Sequence, residues 1–294
     1  MQTSDTRRGI ALLSATMLVF AAQDGISAHL AREYNVVMVV TIRYWFFAAF
    51  VCALAAAQGG VRKTARTARP VLQIFRGAFL AFQVCVMVTA FSVLGLVESH
   101  AVFAGYPLLI AALSGPVLGE RVGPRRWAAI GVGFVGVLVI LAPGYGVFSP
   151  WALVPFFSAF MFALYGLLTR LAAKEDDAMT SFFWTGVAGA VAITPVGLFF
   201  WESMTGPDWA WMSVLCVTGA TGHYLMIKAY EAAEASAIQP FAYLQLVFAS
   251  LIGVTLLGET LEPRVALGAA IVVGAGIFAL VRARRSEAAS SQPR

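Results

Sequence analysis

Leu118-Gly119-Glu120 followed by Pro124-Arg125, and Leu257-Gly258-Glu259 followed by Pro263-Arg264, are two copies of one short pattern in a chain of 294 residues. The interval between them is close to half the chain, so the sequence reads as two copies of one structural unit. Composition then fixes the solvent. Hydrophobic residues make up 60% of the chain, charged residues 12%, and the mean hydropathy is +0.81. A water-soluble globule with a polar exterior cannot accommodate so much apolar surface, which assigns the chain to a lipid bilayer.

A bilayer core about 30 Å thick needs roughly 20 mostly apolar helical residues per crossing. Ten segments qualify, at about 9–30, 36–57, 71–94, 97–118, 126–142, 149–170, 178–200, 209–229, 236–257 and 265–282. Breaks fall at polar or Pro/Gly clusters such as Gln58-Gly59-Gly60, Pro143-Gly144, Lys174 to Asp177 and Gly206-Pro207-Asp208. Between segments 3 and 4 Gly95 is almost the only separator, so that turn must be tight.

The basic residues sort by loop rather than into a patch. With the N-terminus in the cytoplasm, 16 of the 20 Lys and Arg fall inside, Arg32 and Arg264 fall outside, and Arg43 and Arg76 lie within segments. Both termini are therefore expected in the cytoplasm, the membrane being a bacterial inner membrane, and no nucleic-acid partner is implied. Segment 1 lacks a small-residue cleavage site and reads as structural rather than as a signal peptide. Cys52, Cys85 and Cys216 match no metal or redox spacing, so neither a metal nor a cofactor is expected.

Five segments per half is an odd number, so the second copy enters the membrane from the opposite side, and Glu120 and Glu259 fall on opposite faces. The expected fold is all-α: a polytopic membrane protein of ten transmembrane helices, built as a 5+5 inverted repeat around a central cavity. Its parts are an N-terminal repeat at 1–145, a C-terminal repeat at 146–285 and a disordered cytoplasmic tail at 286–294. Inverted repeats of this kind are typical of secondary transporters with a site near the midplane. A monomer or weak dimer is expected, with the bilayer and a small-molecule substrate as partners.

Each half ends in a fourth segment, an L-G-E turn and a Gly-rich fifth segment (Gly131, Gly133, Gly136; Gly268, Gly274, Gly276). In this the chain resembles, over nearly its whole length, the EamA-type branch of the drug/metabolite transporter superfamily. The resemblance implies that segments 1, 3, 4, 6, 8 and 9 line a cavity while 2, 5, 7 and 10 support it. It is closest in character to bacterial amino-acid exporters, including those for aromatic amino acids, which implies export of small amphipathic metabolites by alternating access. Import of riboflavin or S-adenosylmethionine, or efflux of cationic drugs, are the alternatives. A membrane-embedded enzyme is disfavoured, because H-E-x-x-H, G-x-S-x-G and an intramembrane carboxylate dyad are all missing from the sequence.

At about 1.5 Å per residue, the polar residues near the midplane of the lining segments are Gln83, Tyr106, His223, Tyr243 and Gln245, with Tyr165 deeper. Tyr106 and Gln245 are separated by the same interval as the two L-G-E stretches, Gln83 and His223 by one position more, and Asp24 and Tyr165 by two more. These pairs are expected to ring the pseudo-symmetry axis as a substrate site, with hydrogen bonding between packed helices as the structural alternative. Phe20, Phe79, Phe82 and Phe162 would frame the site and suit an amphipathic ligand. Asp24 and Arg43 lie at matching depths and are expected to form an ion pair, structural or coupling in role. Arg76 and Lys228 sit near segment ends and are expected to snorkel. Glu98 and His100 are read as a solvated helix start, and Pro107 as a hinge.

Overall fold

Backbone in hydrocarbon has no water to bond to, so membrane crossings must be helices or closed barrels. The computed structural model describes residues 2–119, 123–141, 151, 153–232 and 239–290, and among these all regular structure is helical. The helices are α1 Gln2–Glu33, α2 Val36–Ala57, α3 Val61–Thr64, α4 Pro70–Leu94, α5 Leu96–Phe103, α6 Tyr106–Leu118, α7 Pro124–Leu141, α8 Leu153–Ala172, α9 Ala178–Phe199, α10 Gly206–Ala232, α11 Leu244–Leu256 and α12 Pro263–Ser290, with a 3-10 turn at Gln239–Tyr243. Among the described residues six spans are long and apolar enough to cross a bilayer: those of α1, α2, α4, α5 with α6, α8 and α9. Shorter apolar helices lie at Trp127–Ile140, Phe241–Leu256 and Pro263–Phe278. The last helix continues to Ser290, past the end expected for segment 10 and into the tail expected to be disordered.

The starts of α2 and α9 are capped by the residue before each. Asn35 Oδ1 accepts from the Val37 N–H at 2.9 Å, and Asp177 Oδ1 from the Thr180 N–H at 2.6 Å. The α4–α5 turn is as tight as expected, with Gly95 alone between the helices at φ 86°. Its cap comes from the far end of the chain. The Leu96 and Val97 N–H groups each donate to a carboxylate oxygen of Glu259 at 2.8 Å. A Cβ on Gly95 would lie 2.8 Å from Glu259 Oε1, so this position needs glycine both for its φ and for the space. Arg32 Nη2 stands 3.5 Å from the same carboxylate. The glycines of the two L-G-E stretches, Gly119 and Gly258, have φ 75° and 69°; Glu120 lies outside the described residues.

Segment 4 is not one helix. It stops at Phe103, turns through Ala104–Gly105 and restarts at Tyr106 with Pro107 in the first turn. A proline there removes the N–H that would have bonded the Phe103 carbonyl, and it is tolerated because the first turn of a new helix needs no such donor. Segment 9 likewise opens as the 3-10 turn and becomes α-helical at Leu244. The two irregularities, at Ala104–Gly105 and Tyr243–Leu244, are separated by the same interval as the L-G-E stretches.

In the packing, α1 lies against α10 and α8 against α4, α1 also meets α11 as α8 meets α6, and α2–α9 and α7–α12 form two further pairs. The last pair closes to backbone contact. A Cβ on Gly136 would lie 2.8 Å from the Gly268 carbonyl, and one on Gly268 2.6 Å from the Gly136 carbonyl. Large apolar side chains point outward, among them Phe199 and Leu256, at 82% and 76% exposure, which suits a lipid-facing surface.

Gly136→Leu should lower the thermal stability of the detergent-purified protein by roughly 1–3 kcal/mol through overpacking, and Gly131→Leu, which meets open space, should have far less effect. Glu259→Ala should cost about 1.5–3 kcal/mol, the range for charge-assisted hydrogen bonds, with Glu259→Gln intermediate. Equal melting temperatures for Glu259→Ala and wild type would remove the cap from the structural argument.

Candidate functional site

The central cavity is bounded by α1, α2, α4, α5, α6, α8, α10 and α11. Its volume of about 170 Å³ holds several waters at roughly 30 Å³ each, so polar side chains on its wall can be solvated at depth. Seven of the residues expected to bind substrate line it: Phe20, Gln83, Tyr106, Phe162, Tyr165, His223 and Gln245. Gln83 Nε2 donates to Ser158 Oγ at 2.8 Å, joining α4 to α8. Tyr106 meets Phe162 edge-on with centroids 5.0 Å apart, and Phe103 packs 5.2 Å from Tyr106. His223 Nδ1 lies 2.9 Å from the Gly219 carbonyl, and its ring sits 5.0 Å from Phe20 and 5.5 Å from Phe47.

Three expected residues are placed elsewhere. On α4 the cavity face runs through Leu80, Gln83, Val84, Met87 and Phe91. At about 100° per residue, Phe82 falls on the opposite side and is 58% exposed, and Phe79 turns away to stack on Phe75 at 5.5 Å. Tyr243 is two residues from Gln245, and helix positions two apart do not share a face. Its ring instead fills the space left by Gly276 of α12, with the hydroxyl buried and unpartnered. Pro107 borders a smaller pocket beside Tyr243, in the first turn of α6.

Asp24 and Arg43 both line the cavity but do not pair with each other. Gln23 and Ser27, one turn apart on α1, face α2 and receive Arg43: Nη1 donates to Ser27 Oγ at 3.2 Å and Nη2 to Gln23 Oε1 at 3.4 Å. Asp24 points about 100° further round the helix, where its Oδ2 accepts from Gln245 Nε2 at 2.9 Å and stands 3.2 Å from His100 Nε2. That second contact is electrostatic in character, because Nε2 lacks hydrogen-bond geometry to any partner. His100 is thus no solvated helix start. It is 3% exposed, stacked on Phe91 at 5.3 Å and open to the cavity. Glu98 does face outward, with Arg264 at 3.5 Å.

Arg76 does not snorkel either. It is 1% exposed and is held entirely by neutral acceptors: the Gln73 amide oxygen, the Tyr165 and Thr169 hydroxyls and the Ser181 carbonyl. Its guanidinium also lies 5.3 Å from the Tyr165 ring centroid. Gln73 passes the interaction on, its Nε2 donating to Asp176 Oδ2 at 2.8 Å. Burial pushes the Asp176 carboxyl up, but hydrogen bonds from Thr67, Gln73 and the Ala68 N–H outweigh it and hold the group below the usual carboxylate range. Lys228 lies 5.7 Å from the Tyr224 ring centroid.

Arg76, His100, Tyr44 and Phe47 neighbour this cavity without having been expected there. The arrangement offers an aromatic chamber with a carboxylate and a guanidinium on its wall, each held by neutral groups or an imidazole rather than by the other. Among the described residues no group of His, Cys, Asp and Glu could hold a metal ion.

Comparison with known proteins places this geometry. The model of the EamA-like transporter family matches residues 7–142 and again 149–281. An S-adenosylmethionine uptake transporter of Rickettsia felis is 24% identical over 95% of this chain and 94% of its own. The riboflavin transporter of Rhizobium johnstonii is 30% identical over 76% of this chain and 74% of its own. These names belong to the alternative substrates rather than to amino-acid exporters. One solved crystal structure superposes with a TM-score of 0.61 at 21% identity, covering 93% of this chain and 99% of that one, a likeness of fold. The chain belongs to the EamA-like transporter family, within the drug/metabolite transporter superfamily, and is a multi-pass membrane transporter rather than an enzyme.

Proposed function

We propose that this chain is a secondary transporter of a metabolite that joins an amino-acid head, with ammonium and carboxylate, to a flat aromatic body, of the S-adenosylmethionine kind, working by alternating access between two inverted halves at 1–145 and 146–285. The observation that carries the reading is the separation of Asp24 from Arg43. A guanidinium on a cavity wall at membrane depth, without a carboxylate within ion-pair distance among the described residues, is costly, and a substrate carboxylate relieves that cost. Asp24 receives the ammonium group, and the rings of Phe20, Phe103, Tyr106 and Phe162 receive the aromatic part.

Support for the inverted halves is the double match of the family model, the paired α1–α10 and α8–α4 contacts and the recurring half-chain interval. Sorting of the basic residues orients both ends toward the cytoplasm of a bacterial inner membrane. Riboflavin is the second reading, favoured by the 30% identity to the Rhizobium johnstonii protein. Riboflavin carries neither ammonium nor carboxylate, so its transport would not need the two charges.

In proteoliposomes, counterflow of labelled S-adenosylmethionine should be saturable and should be inhibited by S-adenosylhomocysteine, with tryptophan and riboflavin as comparison substrates. Arg43→Gln should reduce counterflow by roughly 10- to 100-fold, the loss expected for a charge-assisted contact, and Tyr106→Ala and Gln245→Ala by about 10-fold each. Riboflavin counterflow that survives Arg43→Gln, without S-adenosylmethionine counterflow in wild type, would replace the first reading by the second. Normal kinetics in both Tyr106→Ala and Gln245→Ala would remove the cavity from the proposal.

A further inference from the structure

The Asp24 carboxylate is a junction between three elements. It sits on α1, accepts from Gln245 of α11 and stands 3.2 Å from His100 Nε2 of α5. His100 is 3% exposed, stacked on Phe91 and edge-on to Phe103 at 6.2 Å, and its Nε2 has no hydrogen-bond partner. A ring nitrogen 3.2 Å from a carboxylate, beside the Phe91 and Phe103 rings, needs a proton between them, and a half-buried carboxylate at membrane depth is relieved by a cation.

We propose that a protonated His100 is the internal counter-ion of Asp24, and that the ammonium group of a substrate takes its place with release of one proton. The inference rests on the cavity being the transport site. In the empty protein the imidazolium faces Asp24. When the ammonium arrives it bonds Asp24 through its own N–H groups, the His100 N–H bond breaks, its electron pair stays on the ring and the proton leaves to water in the cavity. One cation leaves as another enters, so the net charge of the site is unchanged, and the apolar part of its wall favours such an exchange over simple addition of charge. His100 thereby ties occupancy to geometry, because the contact it loses is the one joining α5 to α1.

Other charged and titratable groups lie around the same cavity. They are Arg43 and Tyr44 on α2, Tyr106 on α6, Tyr165 on α8, and Cys216 and His223 on α10, with Tyr243 beside His100 in the smaller pocket; α4 presents the Phe91 ring and α11 the Gln245 amide. Of these only His223 is a second imidazole, and it is turned to the Gly219 carbonyl and the Phe20 and Phe47 rings. His29, outside the cavity and 3.6 Å from Asp208, serves as the control.

The test has two arms on the full-length protein in nanodiscs. In the ligand-free protein at neutral pH, nitrogen-15 histidine spectra, assigned with His100→Gln, should show an imidazolium at His100 that becomes neutral in Asp24→Asn. A neutral His100 in wild type overturns the proposal whatever the substrate is. In weakly buffered solution, S-adenosylmethionine should release about one proton per molecule bound. His29→Gln, outside the cavity, should retain that release and His100→Gln should lose it, and riboflavin, without an ammonium, should release none. Undiminished release in His100→Gln overturns the exchange while leaving the transport reading intact. If S-adenosylmethionine does not bind at all, the transport reading fails and the spectra alone decide the counter-ion.

Discussion

A break between two membrane helices leaves backbone N–H groups that hydrocarbon cannot satisfy, and the tightest break in this chain is closed by a residue from the far end of the sequence. Glu259 bonds the Leu96 and Val97 N–H groups, and a carboxylate at a helix N-terminus is also favoured by the helix dipole. Because the loop that carries Glu259 ends α11 and precedes α12, the cap fixes both to the start of α5. The Glu259 N–H in turn bonds the Gly253 carbonyl at 2.9 Å, which sets the loop itself. The placement of His100 and Phe103 on the cavity wall follows from this anchoring of α5.

Two segments that line the cavity are irregular at the same relative position, at Ala104–Gly105 and at the 3-10 stretch before Leu244. Tyr106 and Gln245, just beyond each irregularity, open onto common space. Irregular backbone within a membrane is tolerated where it lines a wet cavity.

Much of this was legible in the sequence. Six of the expected crossing segments follow from apolar length, the tight turn from the isolated Gly95, and the meeting of Gln83, Tyr106, His223 and Gln245 at one cavity from counting residues. What depth does not supply is azimuth. Asp24 and Arg43 are matched in height, yet one residue of rotation on α1 gives Arg43 to Gln23 and Ser27 and gives Asp24 to His100 and Gln245. Phe82 beside Gln83 and Tyr243 beside Gln245 fail for the same reason, and helical phase alone would have separated each pair. Arg76 and His100 were missed for a different one. Apart from Gln73, one turn before Arg76, their partners lie on α8, α9 and α1, several helices away along the chain, and no local pattern announces those.

Arg76 shows how a buried cation can be kept without being neutralised. Four neutral acceptors share its donors, and the nearest of its carboxylate connections runs through the Gln73 amide to Asp176 at the end of the α8–α9 connection. The Coulomb attraction is thus diluted by an intervening amide, while every hydrogen bond is kept. Two consequences follow for the cavity. Tyr165 is fixed by a charged donor on its oxygen at 2.9 Å, so its ring presents a rigid wall rather than a mobile gate. The positive charge of Arg76 also remains felt inside the bundle, because no adjacent carboxylate cancels it. On the proposed reading, it biases the chamber, together with Arg43, toward a ligand with an anionic group, and Asp24 is the carboxylate on the wall that discriminates for an ammonium. A neutral flavin would gain nothing from that bias, whereas an amino-acid head meets both signs at once.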